Sequence, residues 1–96
     1  MKDLKNLLDT EGRLTAFPSK HKMKVYALAF LAEKFDNDRT YTEKEVNELL
    51  CKWHTFGDPA TLRRELYNHK FIDRDLSGGS YWLEPVQPDV DELIKR

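Results

Sequence analysis

One stretch of the chain, residues 58–70, carries polar side chains whose chemistry suits nucleic-acid recognition. Arginine and asparagine can form paired hydrogen bonds with guanine and adenine edges, whereas threonine and tyrosine suit phosphate oxygens. At about 100° per residue, a helix with Leu62 and Leu66 facing inward turns Arg64 away from the core. The predicted DNA contacts are Thr61, Arg63, Arg64, Tyr67 and Asn68. An ordinary solvated helix face is the alternative interpretation, and the pattern leaves both open.

A second group of cations crowds the start of a helix that is predicted to follow Pro18. Lys20, Lys22 and Lys24 lie there, where the positive end of the helix dipole disfavours cations. Because helix stability does not explain these lysines, they predict an anion site together with free backbone N–H groups, with Arg13 as a further member. The anion would be a phosphate of nucleic acid or of a small ligand. A merely solvated basic edge is the equally open alternative.

Cysteine and histidine residues offer two other kinds of chemistry, and we expect neither. Cys51 and His54 have the i, i+3 spacing of two metal ligands, and His69 could supply a third. A structural zinc site normally needs four ligands, so no metal and no cofactor is predicted. No motif orients a base toward Cys51, and Gly78 and Gly79 lack the pattern of a phosphate-binding loop. We therefore expect no enzymatic activity.

Length and charge limit which partners the chain can have. Its 96 residues are 40% hydrophobic and 34% charged, which is enough apolar material for one small domain. Sixteen Lys and Arg residues against seventeen Asp and Glu residues give a net charge of -1. Binding to double-stranded DNA must therefore depend on a local basic patch. A patch of Tyr81, Phe56 and the N-terminal leucines would instead make the domain dock onto another protein or a second copy of itself.

Cysteine content and hydropathy indicate the compartment. One cysteine forms no internal disulfide, and residues 1–6 lack the apolar core of a secretion signal. The longest apolar stretch, residues 25–32, is far short of the roughly 20 residues that cross a bilayer. We expect a cytoplasmic protein with no membrane partner.

Hydrophobic spacing predicts the first elements that position these residues. Leu4, Leu7 and Leu8 recur at helical spacing before Gly12 and predict a brief N-terminal helix. A first long helix should follow, with Ser19 as its N-cap. The expected buried stripe of that helix consists of Met23, Ala27, Phe30, Leu31 and Phe35.

Clear start signals mark the next two helices. After a short β-favouring bridge at residues 39–41, the Thr42 hydroxyl and the Glu45 carboxylate can cap a helix reciprocally. Asp58 and Pro59 predict the start of a third helix, because proline at the first helical position gives up no hydrogen bond. The second helix is expected to bury Val46, Leu49, Leu50 and Trp53.

Two β-prone runs, residues 71–75 and 80–84, predict a hairpin, or wing. Gly78 and Gly79 should supply positive φ angles at its turn. We expect Trp82 to pack in the core and Tyr81 to face solvent or a partner, since neighbours on a strand alternate in direction. Arg74 is the only cation in these strands, and its flanking aspartates argue against phosphate contact there.

The order of these elements predicts an α+β, mostly helical fold. It is a winged helix-turn-helix-like three-helix core with a C-terminal β-hairpin wing, in which the third helix is the usual groove reader. Residues 1–18 would form the short N-terminal helix and extended lead-in, and residues 19–84 the winged-helix-like domain. Residues 85–96 would form a C-terminal tail or a short helix that starts at Asp89. One domain is expected overall.

Several linked motifs resemble a known bacterial family. At residues 12–14, 18–20, 41–47, 61–66 and 81–82 the chain reads GRL, PSK, YTEKEVN, TLRREL and YW. Over roughly residues 7–84 it resembles the domain of unknown function 2087. Members of that family occur alone, as we expect here, or at the end of longer proteins resembling transcription regulators. The resemblance implies a regulatory setting and adds no catalytic residues.

Helix order, the arginine-bearing face of the third helix and the lysine cluster together predict a DNA-binding or transcription-associated regulatory domain. The alternative is a protein-interaction or dimerisation module on the same scaffold, without nucleic-acid binding. A small-anion sensor that uses the lysine cluster alone is a third hypothesis.

Overall fold

The computed structural model describes residues 2–96, which form an α+β fold of helices and one antiparallel sheet. A 3-10 helix spans Lys2–Leu7. The α-helices are α1 (His21–Ala32), α2 (Glu43–Cys51), α3 (Pro59–Asn68) and α4 (Val90–Lys95). The strands are β1 (Thr40–Tyr41), β2 (Ile72–Arg74) and β3 (Tyr81–Leu83). No helix within residues 2–96 has the length and hydropathy that a membrane span requires.

The three strands lie in the order β1-β3-β2, with both pairings antiparallel. Thr40 faces Trp82 across the first pairing, and Ile72 faces Leu83 across the second. The predicted α+β class is confirmed by this architecture. The winged-helix assignment stays a prediction, and no part of the observed element order conflicts with it.

Helix α1 lies at the centre of the core, because the 3-10 helix, α3 and α4 all pack against it. A helix in such a position is apolar over most of its circumference. The single apolar stripe predicted for it is therefore too narrow, and Met23 and Phe30 are only half-buried. Lys20 and not Ser19 occupies the N-cap, without a side-chain hydrogen bond. The buried residues of α1 are Val25, Ala27, Leu28, Ala29, Leu31 and Ala32.

The predicted starts of α2 and α3 are confirmed in detail. The Thr42 hydroxyl accepts a hydrogen bond from the Glu45 N–H, and the Glu45 carboxylate accepts one from the Thr42 N–H. Asp58 caps α3 by accepting from the Thr61 N–H, and Pro59 takes the first helical position. Both starts were predictable because each depends on residues fewer than four positions apart.

His54 joins the end of α2 to the start of α3. Its Nε2 accepts a hydrogen bond from the Asp58 N–H at 2.9 Å, so the ring proton lies on Nδ1, which donates to the Leu50 carbonyl at 2.6 Å. The backbone on either side of the ring pairs with Leu14: the Leu14 N–H donates to the Trp53 carbonyl at 2.8 Å, and the Leu14 carbonyl accepts from the Thr55 N–H. The histidine thus fixes the turn between the two helices and the path of the N-terminal segment.

The hairpin differs from expectation in two places. Tyr81 is only 4% exposed, whereas Trp82 is half-buried, so the predicted orientation of the pair is wrong. The reason is the alternation of β3, which puts Tyr81 on the same face as the buried Leu83. At the turn Gly78 alone has positive φ, at 73°, and Gly79 does not. Tyr81 and Leu4 are buried, so they do not contribute to the apolar patch postulated for a docking module, whereas Leu7, Leu8 and Phe56 remain partly exposed.

Both ends of the described chain pack onto the core. Leu4 and Leu93 are buried within the same hydrophobic cluster as the residues of α1. Asp89 caps α4 by accepting from the backbone of Asp91 and Glu92. His21 Nε2 lies 2.7 Å from the Leu93 carbonyl, which ties α4 to the start of α1.

Replacing Thr42 with alanine removes the hydroxyl that caps α2. We expect the free energy of unfolding, measured by urea denaturation, to fall by about 1 kcal/mol because the first-turn N–H loses its partner. Thr10→Ala, at an exposed threonine of the turn after the 3-10 helix, is the control and should change it by less than about 0.5 kcal/mol. Equal losses in the two variants would contradict the capping role.

Replacing His54 with phenylalanine keeps a ring in the turn but removes both of its hydrogen bonds. We expect a loss of about 1–3 kcal/mol of unfolding free energy, because the Asp58 N–H is left without an acceptor in a partly buried position. His69→Phe is the matched control, since the His69 ring bonds within its own helical turn, to the Glu65 carbonyl. If the two variants were equally stable, the bridging role of His54 would be excluded.

Candidate nucleic-acid interface

A cleft of about 290 Å³ lies between α3 and the hairpin. It contains four of the five side chains that the sequence predicts as DNA contacts, together with three others. The fifth, Thr61, donates its N–H to the α3 cap and does not line the cleft. The lining residues are Glu43, Arg63, Arg64, Tyr67, Asn68, Arg74 and Tyr81.

Arg63 is bound to α2 and is not a free cation. Its side chain is 17% exposed, and its guanidinium donates to the Asn47 side-chain oxygen and lies 3.5 Å from the Glu43 carboxylate. The guanidinium carbon also lies 6.0 Å from the centre of the Tyr81 ring. These contacts make Arg63 a bridge between α2, α3 and the sheet, so its charge is largely compensated before any ligand arrives.

Arg64 and Asn68 are the exposed members of the cleft on α3. They lie four residues apart and therefore on one helix face, one turn from each other. Hydrogen bonds from Thr61 chiefly lower the pKa of Asp58 at the start of the helix, and the charge of Arg64 contributes a smaller part. Within residues 2–96, no carboxylate forms an ion pair with Arg64 at salt-bridge distance.

Arg74, on β2, also lines the cleft, although its flanking aspartates argued against a contact there in the sequence. Its guanidinium carbon lies 4.8 Å from the centre of the Tyr67 ring, and the Tyr67 hydroxyl beside it raises the pKa of Arg74. A Cβ atom on Gly78 would lie 3.2 Å from Nη1 of Arg74, so the glycine gives this side chain room. The register of β2 against β3 puts Arg74 opposite Tyr81. The sequence does not show this register, so it could not place Arg74 in the cleft.

The two aspartates beside Arg74 do not face the cleft, contrary to the expectation from the sequence. The Asp75 carboxylate turns into the hairpin loop, where it accepts from the Ser77 hydroxyl and from the N–H groups of Gly79 and Ser80. The Ser80 hydrogen bond is the main cause that lowers the pKa of Asp75. Asp73 neighbours Arg74 on the strand and so points to the opposite face. The two acids therefore oppose phosphate contact at the hairpin less than their charges imply.

The predicted anion site at the start of α1 is only partly assembled. Arg13 forms two ion pairs, with Asp9 and with Glu11, each at 2.9 Å. Lys22 and Lys24 lie over aromatic rings, with Nζ 5.8 Å from the Tyr26 ring centre and 5.7 Å from that of Phe17. Lys20 is exposed at the N-cap. The anion site at these lysines stays a prediction, without the contribution expected from Arg13.

The three residues weighed as metal ligands have other arrangements. Cys51 is exposed on α2, and both ring nitrogens of His54 are hydrogen-bonded. His69 Nδ1 lies 2.9 Å from the Glu65 carbonyl and 3.4 Å from the Glu65 carboxylate. Among residues 2–96, no group of three or more His, Cys, Asp or Glu side chains could hold a metal ion. The absence of enzymatic activity stays a prediction.

Residues 13–83 match the model of a bacterial family described as "Uncharacterized protein conserved in bacteria (DUF2087)". The chain belongs to this family. The match covers α1, α2, α3 and the whole sheet, and so includes the complete cleft between α3 and the hairpin. The resemblance seen in the sequence motifs is confirmed at the level of the family. No curated protein and no solved structure matches the chain.

The bridge from Arg63 to Asn47 should be measurable as a coupling energy. We expect a double-mutant cycle with Arg63→Met and Asn47→Ala to give about 1–2 kcal/mol, because the bond involves a charged donor in a partly buried position. The control cycle uses Arg39→Met and Glu45→Gln at an exposed ion pair, and should give less than half of that coupling. Additive losses for Arg63 and Asn47 would show that the contact contributes nothing.

Proposed function

We propose that this domain binds double-stranded DNA through the exposed face of α3, as a transcription-associated regulatory domain. The observation that carries the proposal is the pairing of Arg64 and Asn68, exposed one turn apart at the rim of a cleft that also holds Arg74. Arginine suits the O6 and N7 atoms of guanine, and asparagine suits the N6 and N7 atoms of adenine. Two such side chains on one helix face can read neighbouring base pairs from the major groove.

The distribution of acidic residues supports this choice of face. Helix α2 is rich in glutamate, which would repel DNA if it bordered the arginines. Glu45 binds Arg39, and Glu45 and Glu48 line a different cleft, next to Trp53. Glu43 alone borders the α3 cleft, and it lies against Arg63. The net charge of the chain therefore understates how basic this one surface is.

The proposal extends to the setting in which the domain acts. A regulator of this kind would meet duplex DNA in the bacterial cytoplasm, where its single cysteine stays reduced. The alternative, a protein-interaction module, has less support, because Tyr81 and Leu4 of its postulated apolar patch are buried. Among the described residues, the large apolar side chains that remain exposed are Leu76 and Val86, and they lie in separate loops on either side of β3.

Selection from a randomised duplex library tests the proposal and requires no assumption about the target sequence. We expect an enriched site that contains guanine and adenine, and amide shifts confined to α3 and its neighbours when that duplex is titrated at low salt. Arg64→Ala and Asn68→Ala should each weaken binding to the enriched site by about 5- to 150-fold and relax the preference at one base pair.

Arg39→Ala is the matched control, because Arg39 is an exposed arginine that lines the cleft beside Trp53. It should change the affinity less than about twofold. An unenriched library together with unshifted α3 amides at low salt would overturn the DNA-binding proposal. Equal losses from Arg39→Ala and Arg64→Ala would place the binding surface elsewhere.

A further inference from the structure

The α3 cleft differs in charge from three other clefts of the domain. It contains three arginines and one glutamate, and that glutamate faces Arg63. The cleft beside Trp53 mixes three cations with two acids, and the one beside α4 balances Lys70 and Arg96 against two acids. The cleft between the end of α1 and residues 83–90 is mainly apolar, with no lysine or arginine. A concave surface with excess positive charge is what an anionic ligand requires.

The guanidinium of Arg74 is held in place by its surroundings. Tyr67 supports it from α3, with the ring centre 4.8 Å from the guanidinium carbon, and a Cβ atom on Gly78 would lie 3.2 Å from Nη1 on the hairpin side. Hydrogen bonding by the Tyr67 and Tyr81 hydroxyls favours the charged form. Within the described chain, no ion pair at salt-bridge distance involves Arg74. A positioned cation without an acidic partner loses little side-chain entropy when it binds an anion.

We propose that this cleft is a phosphate-binding site, in which Arg74 holds the phosphate oxygens from the hairpin and Arg64 joins it from α3 when no base engages that side chain. Guanidinium groups match the geometry of phosphate oxygens and can bind two of them at once. The Tyr67 hydroxyl carries a proton that it can donate to the phosphate in a hydrogen bond, beside the Arg74 guanidinium stacked on its ring. Arg63 adds positive potential to the cleft while its guanidinium stays bound to Asn47 and Glu43 of α2.

The phosphate can come from the DNA backbone or from a small phosphorylated ligand. The first source rests on the proposed function and assigns the hairpin a contact with the duplex, alongside base recognition by Arg64 and Asn68. The second source is independent of DNA. Arg74 serves both sources, since a phosphodiester and a free phosphate present similar oxygens to the cleft, and Arg64 joins it on the small ligand.

The test compares Arg74→Gln with Arg39→Gln in the full chain. Both are exposed arginines stacked on tyrosine, since the Arg39 guanidinium carbon lies 4.4 Å from the centre of the Tyr41 ring, but Arg39 has Glu45 as its ionic partner. The probes are inorganic phosphate and a duplex of mixed sequence. The readouts are the Nε–H signals of the arginines by NMR, and the slope of log affinity against log salt concentration for the duplex.

We expect inorganic phosphate to shift the Arg74 Nε–H signal and to leave that of Arg39 in place. With the duplex, Arg74→Gln should reduce the salt slope by about 1, the value for one lost phosphate contact, and Arg39→Gln should not change it. Arg74→Lys, which keeps the charge and guards against a folding defect in the glutamine variant, should restore most of the slope. Tyr67→Phe should weaken phosphate binding, so that the Arg74 signal reaches its bound position only at higher phosphate concentration.

The outcomes separate the two proposals. In one outcome the duplex shifts α3 amides, but Arg74→Gln and Arg39→Gln have the same salt slope and phosphate leaves the Arg74 Nε–H signal in place. DNA binding then stands and the phosphate site is overturned. If phosphate shifts Arg74 but the duplex does not bind, the site stands with a small ligand as its source and the DNA-binding proposal fails. A salt slope that falls by about 1 in Arg74→Gln supports both.

Discussion

The turn between α2 and α3 depends on one neutral imidazole. His54 receives a hydrogen bond from the Asp58 N–H and gives one to the Leu50 carbonyl, so both ring nitrogens are satisfied in a position that is 4% exposed. Because Leu14 pairs with the backbone on either side of the ring, the same turn fixes the N-terminal segment. The same turn fixes the start of α3 next to the end of α2, and further along α3 Arg63 joins the two helices again through Asn47.

Local sequence rules predicted much of this fold and failed where a contact joins distant residues. The caps at Thr42 and Asp58 depend on neighbours within three positions, so their chemistry is legible in the chain. The burial of Tyr81 depends on which face of β3 meets the core, and Trp82 is an equally plausible core residue on the same strand. The burial of helix α1 was also mispredicted. Periodicity detects an apolar stripe on one side of a helix, whereas α1 has packing partners on several sides.

The sequence likewise predicted some features of the candidate site and not others. Helical periodicity alone put Arg64, Tyr67 and Asn68 on one face, and the structure brings them into one cleft. It turned Arg64 away from the core but gave no partner for Arg63, since only the position of α2 shows that Arg63 is bound to Asn47. Arg74 was discounted because a sequence shows charges without their directions. Its neighbour Asp75 has its carboxylate in the loop, where three donors hold it.

Several acidic residues in this chain act as local acceptors, which helps a near-neutral domain to present a basic cleft. Asp9, Glu45, Asp58 and Asp75 all have lowered pKa values, and in each case the largest cause is a hydrogen bond from a residue at most five positions away. Carboxylates fixed in caps and turns are directed toward N–H groups and away from open solvent. The net charge includes every one of these carboxylates. The acid that lines the α3 cleft is Glu43, and its carboxylate lies against Arg63. In the phosphate site proposed above, an anion held by Arg74 therefore faces one acid, and that acid already has a cation beside it.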